Sequence, residues 1–227
     1  MKKFKIRCSK IGSIMSEPKS KKDKEAGILS KTSQSYCQEW IKEQIYFRKK
    51  EFTSKYTDKG NIMEYNSIDF VADYLGFGML LKNEILFDND IMTGTPDVIT
   101  KDLIIDVKNS WDCFTFPFFA KIIPDISYYY QLQGYMNLTR KNKSKLIYIL
   151  SNTPDHLIDR EAYYWAKNNG YEEVDNDIIE MFYNKMTYDK IDNKYKIKVF
   201  DIERNQDVIN KINSQVKKCQ DYIDSLI

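Results

Sequence analysis

The chain has 227 residues, 42% of them hydrophobic and 30% charged, and a formal net charge of +2. This composition suits one soluble globular domain, which we expect to span residues 1–227. No stretch approaches the ~20 apolar residues of a membrane span and no apolar segment follows the basic N-terminus, so we expect neither membrane insertion nor secretion, but a cytoplasmic protein. The four cysteines are far apart and show no paired spacing, which argues against a zinc ribbon or a disulfide framework.

The first 31 residues form a basic arm. They contain nine lysines and Arg7 against three acidic residues, a local charge of +7, so the other 196 residues together carry −5. A basic segment on a slightly acidic body indicates contact with a polyanion, although the arm taken alone is better explained as a solvated lysine-rich loop. Residues 16–31 are polar and are predicted to be a loop.

Helical and strand-like patterns then follow one another along the chain. A helix is predicted from Thr32, and a second over 58–75. Three strands at 79–87, 91–99 and 102–109 are expected to form a β-meander. The later elements are, in order, an irregular aromatic-rich segment at 111–124, a helix at 125–138, a strand at 145–151, helices at about 158–168 and 174–188, a strand at 194–202, and a C-terminal helix. The predicted fold is α/β, a small mixed sheet flanked by helices.

Two charged residues interrupt the most apolar strand, "LIIDVKN" at 103–109. Side chains alternate along a strand, so Ile104, Asp106 and Lys108 share one face. An unpaired buried charge is very costly, so Asp106 and Lys108 need partners or a wet cleft. A surface hairpin with a solvated Asp–Lys pair is the alternative.

A second aspartate precedes this strand in "GTPD", 94–97. If the turn at 100–102 is tight, Asp97 and Asp106 lie close together across the hairpin. Two adjacent carboxylates repel unless a cation lies between them, and aspartate oxygens suit Mg²⁺ or Mn²⁺. Such a metal with Lys108 nearby predicts phosphodiester hydrolysis, because a metal activates water and a lysine can orient or deprotonate it.

Two helices offer further polar side chains. Glu64 lies near the start of the predicted helix 58–75, on or beside its inward face, and could complete a metal shell; otherwise it is an exposed glutamate. Gln131 and Tyr135 are four residues apart and share a helical face, which could present an amide and a phenol to the site or to a DNA backbone. The alternative is a core tyrosine with a polar neighbour.

In this order the motifs resemble the PD-(D/E)XK nuclease superfamily. Asp97 matches the aspartate of its "PD", and Asp106 and Lys108 match its "(D/E)XK". Glu64 matches the acidic residue of the preceding helix. The segment "QLQGY", 131–135, matches the glutamine–tyrosine motif of the branch that includes RecB-type nucleases and lambda exonuclease.

Within the superfamily, the chain most resembles the lambda-exonuclease (YqaJ-type) group of viral recombinases. These proteins are similar in length, begin with an element like Ser9-Lys10-Ile11, and end with a strand and a long helix. The resemblance covers roughly residues 7–225, and the motif matches cluster in 60–135. It implies a restriction-endonuclease-like core with a catalytic part at about 58–153, followed by helices and a strand over 154–227.

The resemblance also implies an activity and its residues. It implies a Mg²⁺-dependent exonuclease, with Mn²⁺ as a substitute, that degrades one strand of double-stranded DNA from a 5′ end. The metal would be held by Glu64, Asp97, Asp106 and the main-chain carbonyl of Val107. Lys108 would serve the nucleophilic water, and Gln131 would support it.

Further expectations concern substrate contacts and partners. Arg7, Ser9 and Lys10 are candidates for a 5′-phosphate pocket, and Tyr135 for a DNA contact. Relatives often form a homotrimer and work with a single-strand annealing protein. A related group carries an iron–sulphur cluster on cysteines near the C-terminus, but only Cys219 lies there, so no cluster is expected.

Two other functions stay open. One is a structure-specific or restriction-like endonuclease of the same superfamily. The other is a non-catalytic DNA-binding protein with the same fold. The sequence argues against this second function, because residues able to bind a metal fill every ligand position and Lys108 is present. RNA also stays open as a substrate, because phosphate contacts are common to both nucleic acids.

Overall fold

The computed structural model describes residues 3–50 and 54–227, so the first two residues of the predicted basic arm lie outside it. Within this part of the chain the strands form two sheets. The smaller has the order β1-β3-β2 and consists of β1 (Ile6–Arg7), β2 (Phe87–Asp88) and β3 (Met92–Gly94). β1 pairs with β3 in parallel, and β2 pairs with β3 antiparallel.

The larger sheet has four strands in the order β4-β5-β6-β7 among the residues described. They are β4 (Val98–Ile99), β5 (Leu103–Asn109), β6 (Lys143–Ile149) and β7 (Ile197–Glu203). The central strands β5 and β6 are parallel, and both outer strands are antiparallel to their neighbours. This is the predicted mixed sheet.

Helices cover both faces of the larger sheet. The helices of the described ranges are α1 (Ile11–Ile14), α2 (Lys21–Glu25), α3 (Lys31–Tyr46), α4 (Lys55–Leu75), α5 (Ile126–Thr139), α6 (Asp155–Asn168), α7 (Asn176–Met186) and α8 (Gln206–Asp224). Of these, α4 and α5 pack against β5 from opposite sides. Side-chain caps fix several starts: Ser30 accepts from the third residue of α3, and Asp125 from the second residue of α5. No helix in the described ranges is long and apolar enough to cross a membrane.

The alternation predicted for β5 sorts its side chains between two cores. Ile105 and Val107 pack with α4, in a cluster that includes Ile68. Ile104 belongs to a larger cluster on the opposite face, where Leu132 of α5 also lies. Asp106 and Lys108 have the same parity as Ile104, so they emerge on the face that α5 covers.

The predicted meander is wrong in two respects. First, the strand expected at 91–99 is two strands in different sheets. β3 ends at Gly94 and β4 begins at Val98. A Cβ on Gly94 would lie 2.7 Å from Tyr135 Cε1, so the chain presses against α5 there. Pro96 has no N–H to donate to a ladder, which favours a break. Second, the strand expected at 79–87 is absent over 79–86, where the one pairing is an isolated bridge from Lys82 to Val98.

Two helix predictions also need correction. The loop predicted at 16–31 contains the short helix α2, capped by the Ser20 side chain. Helix α4 begins three residues before the predicted position because Ser54 and Thr57 form a capping box. Glu64 is therefore in the middle of α4 and not near its start.

Candidate active site

The β4–β5 hairpin places the two aspartates opposite each other. Val98 pairs with Ile105 in an antiparallel register, so Asp97 faces Asp106 one step further along. The turn is tight, because the Thr100 N–H donates to the Leu103 carbonyl at 2.9 Å. The predicted proximity of the two carboxylates is thus present in the structure.

Asp97 is held by the backbone of the next strand. Its Oδ2 accepts a hydrogen bond from the Val107 N–H at 2.8 Å. The N–H and C=O of one residue point toward the same neighbouring strand, so the Val107 carbonyl also faces this edge. Pro96 precedes Asp97 there and has no N–H to give that carbonyl. The proline therefore helps to leave a carbonyl oxygen available beside the two aspartates.

Asp106 is buried and contacts two side chains. Its Oδ1 accepts from Gln131 Nε2 at 3.0 Å. Its Oδ2 lies 2.7 Å from Lys108 Nζ, yet it is a buried oxygen without a directed hydrogen-bond donor among the described residues. The contact with Lys108 is thus an ion pair in poor hydrogen-bond alignment, and Oδ2 retains acceptor capacity for a further cation.

Burial and mutual repulsion shape the protonation of the site. Burial, reinforced by the Asp106 charge, raises the pKa of Asp97 to about 7. Burial by itself would lower the pKa of Lys108, but the Asp106 and Asp97 carboxylates outweigh it and raise that pKa above its ordinary value. Lys108 is therefore an ammonium group and donates hydrogen bonds in this arrangement.

Gln131 connects α5 to the carboxylates. Its Nε2 donates to Asp106 and also lies 3.1 Å from the Tyr135 hydroxyl. Tyr135 is only 4% exposed, and burial, followed by the Asp106 charge, raises the pKa of its phenol. Tyr135 is thus a core tyrosine, which was the alternative to a DNA contact in the sequence analysis. It supports Gln131 inside the protein and does not reach the surface that a DNA backbone would touch.

Glu64 faces the same cleft but is held by a lysine that the sequence analysis missed. Lys82 Nζ lies 2.6 Å from Glu64 Oε2. In the described ranges no group of three or more Asp, Glu, His or Cys side chains is arranged to hold a metal ion. The carboxylates of Glu64, Asp97 and Asp106, the predicted trio, are therefore not arranged to coordinate one metal ion together. The sequence does contain a sign of Lys82: it is the one lysine in the mostly apolar segment "MLLKNEIL", 79–86.

Glu64, Asp97 and Lys108 line a cleft of about 430 Å³. Aromatic side chains form much of its wall, namely those of Tyr56, Trp111, Tyr128 and Tyr148. The Tyr128 ring centroid lies 4.9 Å from Lys108 Nζ, a cation–π contact that helps to hold the ammonium in place. Tyr128 also escaped the sequence analysis, although it lies one turn before Gln131 on α5.

The predicted phosphate-binding residues lie elsewhere. Arg7 and Lys10 line a second, larger cleft of about 620 Å³, which contains none of the three predicted metal-binding carboxylates. Arg7 lies 3.4 Å from the Glu43 carboxylate on α3. Ser9 is exposed and lines neither of these two clefts.

The donor set at the first cleft fits a hard divalent cation. Carboxylate oxygens of Asp97 and Asp106 lie next to the Val107 carbonyl edge, and Asp106 Oδ2 is a buried acceptor without a directed donor. Hard cations such as Mg²⁺ bind oxygen ligands of this kind. Glu64 would add a third carboxylate once separated from Lys82.

The larger sheet has two aspartates paired across its β4–β5 hairpin and a lysine two residues after the second aspartate, which is the motif of the PD-(D/E)XK nuclease superfamily. The structure is similar to that of a phage-related exonuclease from Haemophilus somnus 129PT, with a TM-score of 0.79 and 31% identity over 99% of this chain and 96% of that chain. The chain therefore belongs to the phage-exonuclease family, the lambda-exonuclease (YqaJ-type) group.

More distant structures share the fold. An alkaline exonuclease from Laribacter hongkongensis, LHK-Exo, matches with a TM-score of 0.62 and 14% identity over 97% of this chain and 88% of that chain. The structure of LHK-Exo in complex with dAMP gives a TM-score of 0.63 and 15% identity over the same shares. No protein-family model and no curated protein matches the chain.

Proposed function

We propose that this protein is a divalent-metal-dependent exonuclease that hydrolyses phosphodiester bonds at the ends of double-stranded DNA. The observation that carries the proposal is the hairpin register that pairs Asp97 with Asp106 beside Lys108. The membership of the chain in a phage-exonuclease family supports the choice of an exonuclease. Mg²⁺, with Mn²⁺ as a substitute, is the metal we propose.

The proposed ligands are Asp97, Asp106, the Val107 carbonyl and Glu64. When bound, the ion would supply an activated water and offset the charge that develops on the phosphate. Three of these ligands, Glu64, Asp97 and Val107, line the cleft of about 430 Å³, which gives a phosphate group access to the site. Asp97, whose pKa burial raises to about 7, would release its proton when it coordinates the ion.

Lys108 orients the reacting groups. Because the Asp106 and Asp97 charges keep it protonated, its ammonium group donates to the attacking water or to a phosphate oxygen. Gln131 holds the Asp106 carboxylate by a hydrogen bond of 3.0 Å, and Tyr128 covers the ammonium group. These contacts fix the carboxylate and the lysine before a substrate arrives.

The direction of degradation and the biological setting are part of the same proposal. We propose action from a 5′ end, with the cleft of Arg7 and Lys10 receiving backbone phosphates. A role in DNA recombination in the cytoplasm, assembly as a homotrimer and cooperation with a single-strand annealing protein follow from the family resemblance alone.

Two substitutions test the site. Asp106→Ala should abolish metal-dependent cleavage and weaken metal binding, because it removes a carboxylate ligand. Lys108→Ala should stop cleavage while DNA binding in Ca²⁺ stays close to that of the wild-type protein. Full activity of Asp106→Ala would refute the site, and collapse of DNA binding in Lys108→Ala would make that lysine a phosphate or structural contact.

A further inference from the structure

Lys82 contacts a proposed metal ligand, Glu64, but has no role in the proposed chemistry. Its chain neighbours Met79, Leu81, Ile85 and Leu86 are all exposed, at 85%, 73%, 66% and 64%. The Lys82 side chain is instead 25% exposed, and its Nζ lies 2.6 Å from Glu64 Oε2. The Tyr65 ring centroid is 4.7 Å from the same nitrogen.

The backbone fixes Lys82 at the aspartate pair. Lys82 forms an isolated antiparallel bridge with Val98, the residue after Asp97. The adjacent Asn83 N–H donates to the Asp97 carbonyl at 2.7 Å, and Asn83 Nδ2 donates to the Pro96 carbonyl at 2.9 Å. The ammonium group thus extends from a segment that is tied to the aspartate loop, so its contact with Glu64 is built into the fold.

Each acidic group of the site has an internal partner. Glu64 is paired with Lys82, Asp106 with Lys108, and Asp97 with the Val107 N–H. These pairings agree with the absence, within residues 3–50 and 54–227, of a three-acid cluster arranged for a metal. Of the two lysines, Lys108 belongs to the proposed chemistry, whereas Lys82 only occupies an oxygen of the outermost carboxylate.

We infer that Lys82 is a built-in counter-ion that competes with the divalent metal for Glu64 and thereby weakens metal binding. The inference rests on the proposed function, because it takes Glu64 as a metal ligand. Lys82 acts through Glu64 and is therefore a positioning residue. Removing its charge makes the site more negative and frees Glu64 Oε2, both of which favour a divalent cation.

The test is direct metal binding without DNA. Mn²⁺ is titrated calorimetrically into wild-type protein, Lys82→Met and Lys82→Gln. A partly exposed ion pair contributes up to ~1 kcal/mol, so both variants should bind Mn²⁺ roughly 3- to 5-fold more tightly. A residue with a merely structural role would give weaker binding when replaced. Unchanged or weaker binding in both variants would overturn the inference.

Matched variants separate this inference from the proposed function. Lys5→Met removes another ion pair of 2.6 Å, with Asp88 on β2, and should leave Mn²⁺ affinity unchanged. In a Glu64→Gln background, Lys82→Met should raise Mn²⁺ affinity by less than it does in wild-type protein, since Lys82 no longer competes for a Glu64 carboxylate and only its longer-range charge is removed. The proposed function fails in a different way: the wild-type protein would not bind Mn²⁺, or Asp106→Ala would bind it equally well.

Discussion

The buried lysine of α4 gives the sharpest prediction about stability. Lys59 is 1% exposed, and its Nζ donates to the carbonyls of Trp111 at 2.9 Å and Ser151 at 2.8 Å. These carbonyls lie just beyond β5 and β6, so Lys59 ties the helix that carries Glu64 to both central strands. Burial lowers the pKa of Lys59 from 10.5 to about 8, with Asp112 partly opposing the shift.

The lowered pKa makes stability depend on pH in a defined direction. Between about 8 and 10.5 the unfolded chain binds a proton at Lys59 that the folded protein has released, so stability rises with pH across this window. At roughly 1.4 kcal/mol per pKa unit, the buried charge of Lys59 lowers the free energy of unfolding by about 3 kcal/mol below pH 8. When the pH is raised from 7 to 9.5, the free energy of unfolding should increase by about 2 kcal/mol as Lys59 loses its proton.

The perturbation is Lys59→Met, and the assay is urea unfolding at pH 7 and pH 9.5. The variant leaves two carbonyls without their donor, a loss that does not depend on pH. On moving to pH 9.5, wild-type protein should therefore gain about 2 kcal/mol relative to Lys59→Met. Lys21→Met, at an exposed position on α2, controls for the loss of a positive charge. Parallel pH profiles for wild-type protein and Lys59→Met would refute the reasoning.

Three further substitutions test packing and the support of Asp106. In Gly12→Ala, the new Cβ would lie 2.5 Å from Ser127 Cβ and 3.0 Å from its Cα, so the variant should lose ~1–3 kcal/mol of unfolding free energy in urea. Gly60→Ala meets nothing within 4 Å inside α4 and should gain ~0.5–1 kcal/mol; equal effects of the two substitutions would contradict the packing. Gln131→Met removes the hydrogen bond to Asp106 and should slow cleavage by roughly 10- to 100-fold, with DNA binding in Ca²⁺ retained. Unchanged cleavage by Gln131→Met would show that the amide does not support Asp106.

The local part of the site could be predicted from the sequence. Strand alternation places Asp106 and Lys108 on one face, and a short turn brings Asp97 opposite Asp106. Helical spacing likewise predicts that Gln131 and Tyr135 share a face. All these relations join residues of one hairpin or one helix, so local periodicity is sufficient to find them.

The remainder depends on contacts between distant segments. The pairing of Lys82 with Glu64 and the burial of Lys59 arise only when α4 packs against the larger sheet. Tyr135 is buried where α5 packs closely against Gly94 at the end of β3. Periodicity along the chain carries no information about such packing between segments.

Metal-dependent hydrolysis at DNA ends can be measured in a single digestion experiment. A single DNA is supplied as a covalently closed circle and as a linear duplex with 5′ phosphates, each with Mg²⁺ and with wild-type protein or Asp106→Ala. We expect that only the linear form is degraded, and only by wild-type protein. Cutting of the circle would identify an endonuclease, and no cutting of either form would contradict the assignment of a nuclease active on DNA.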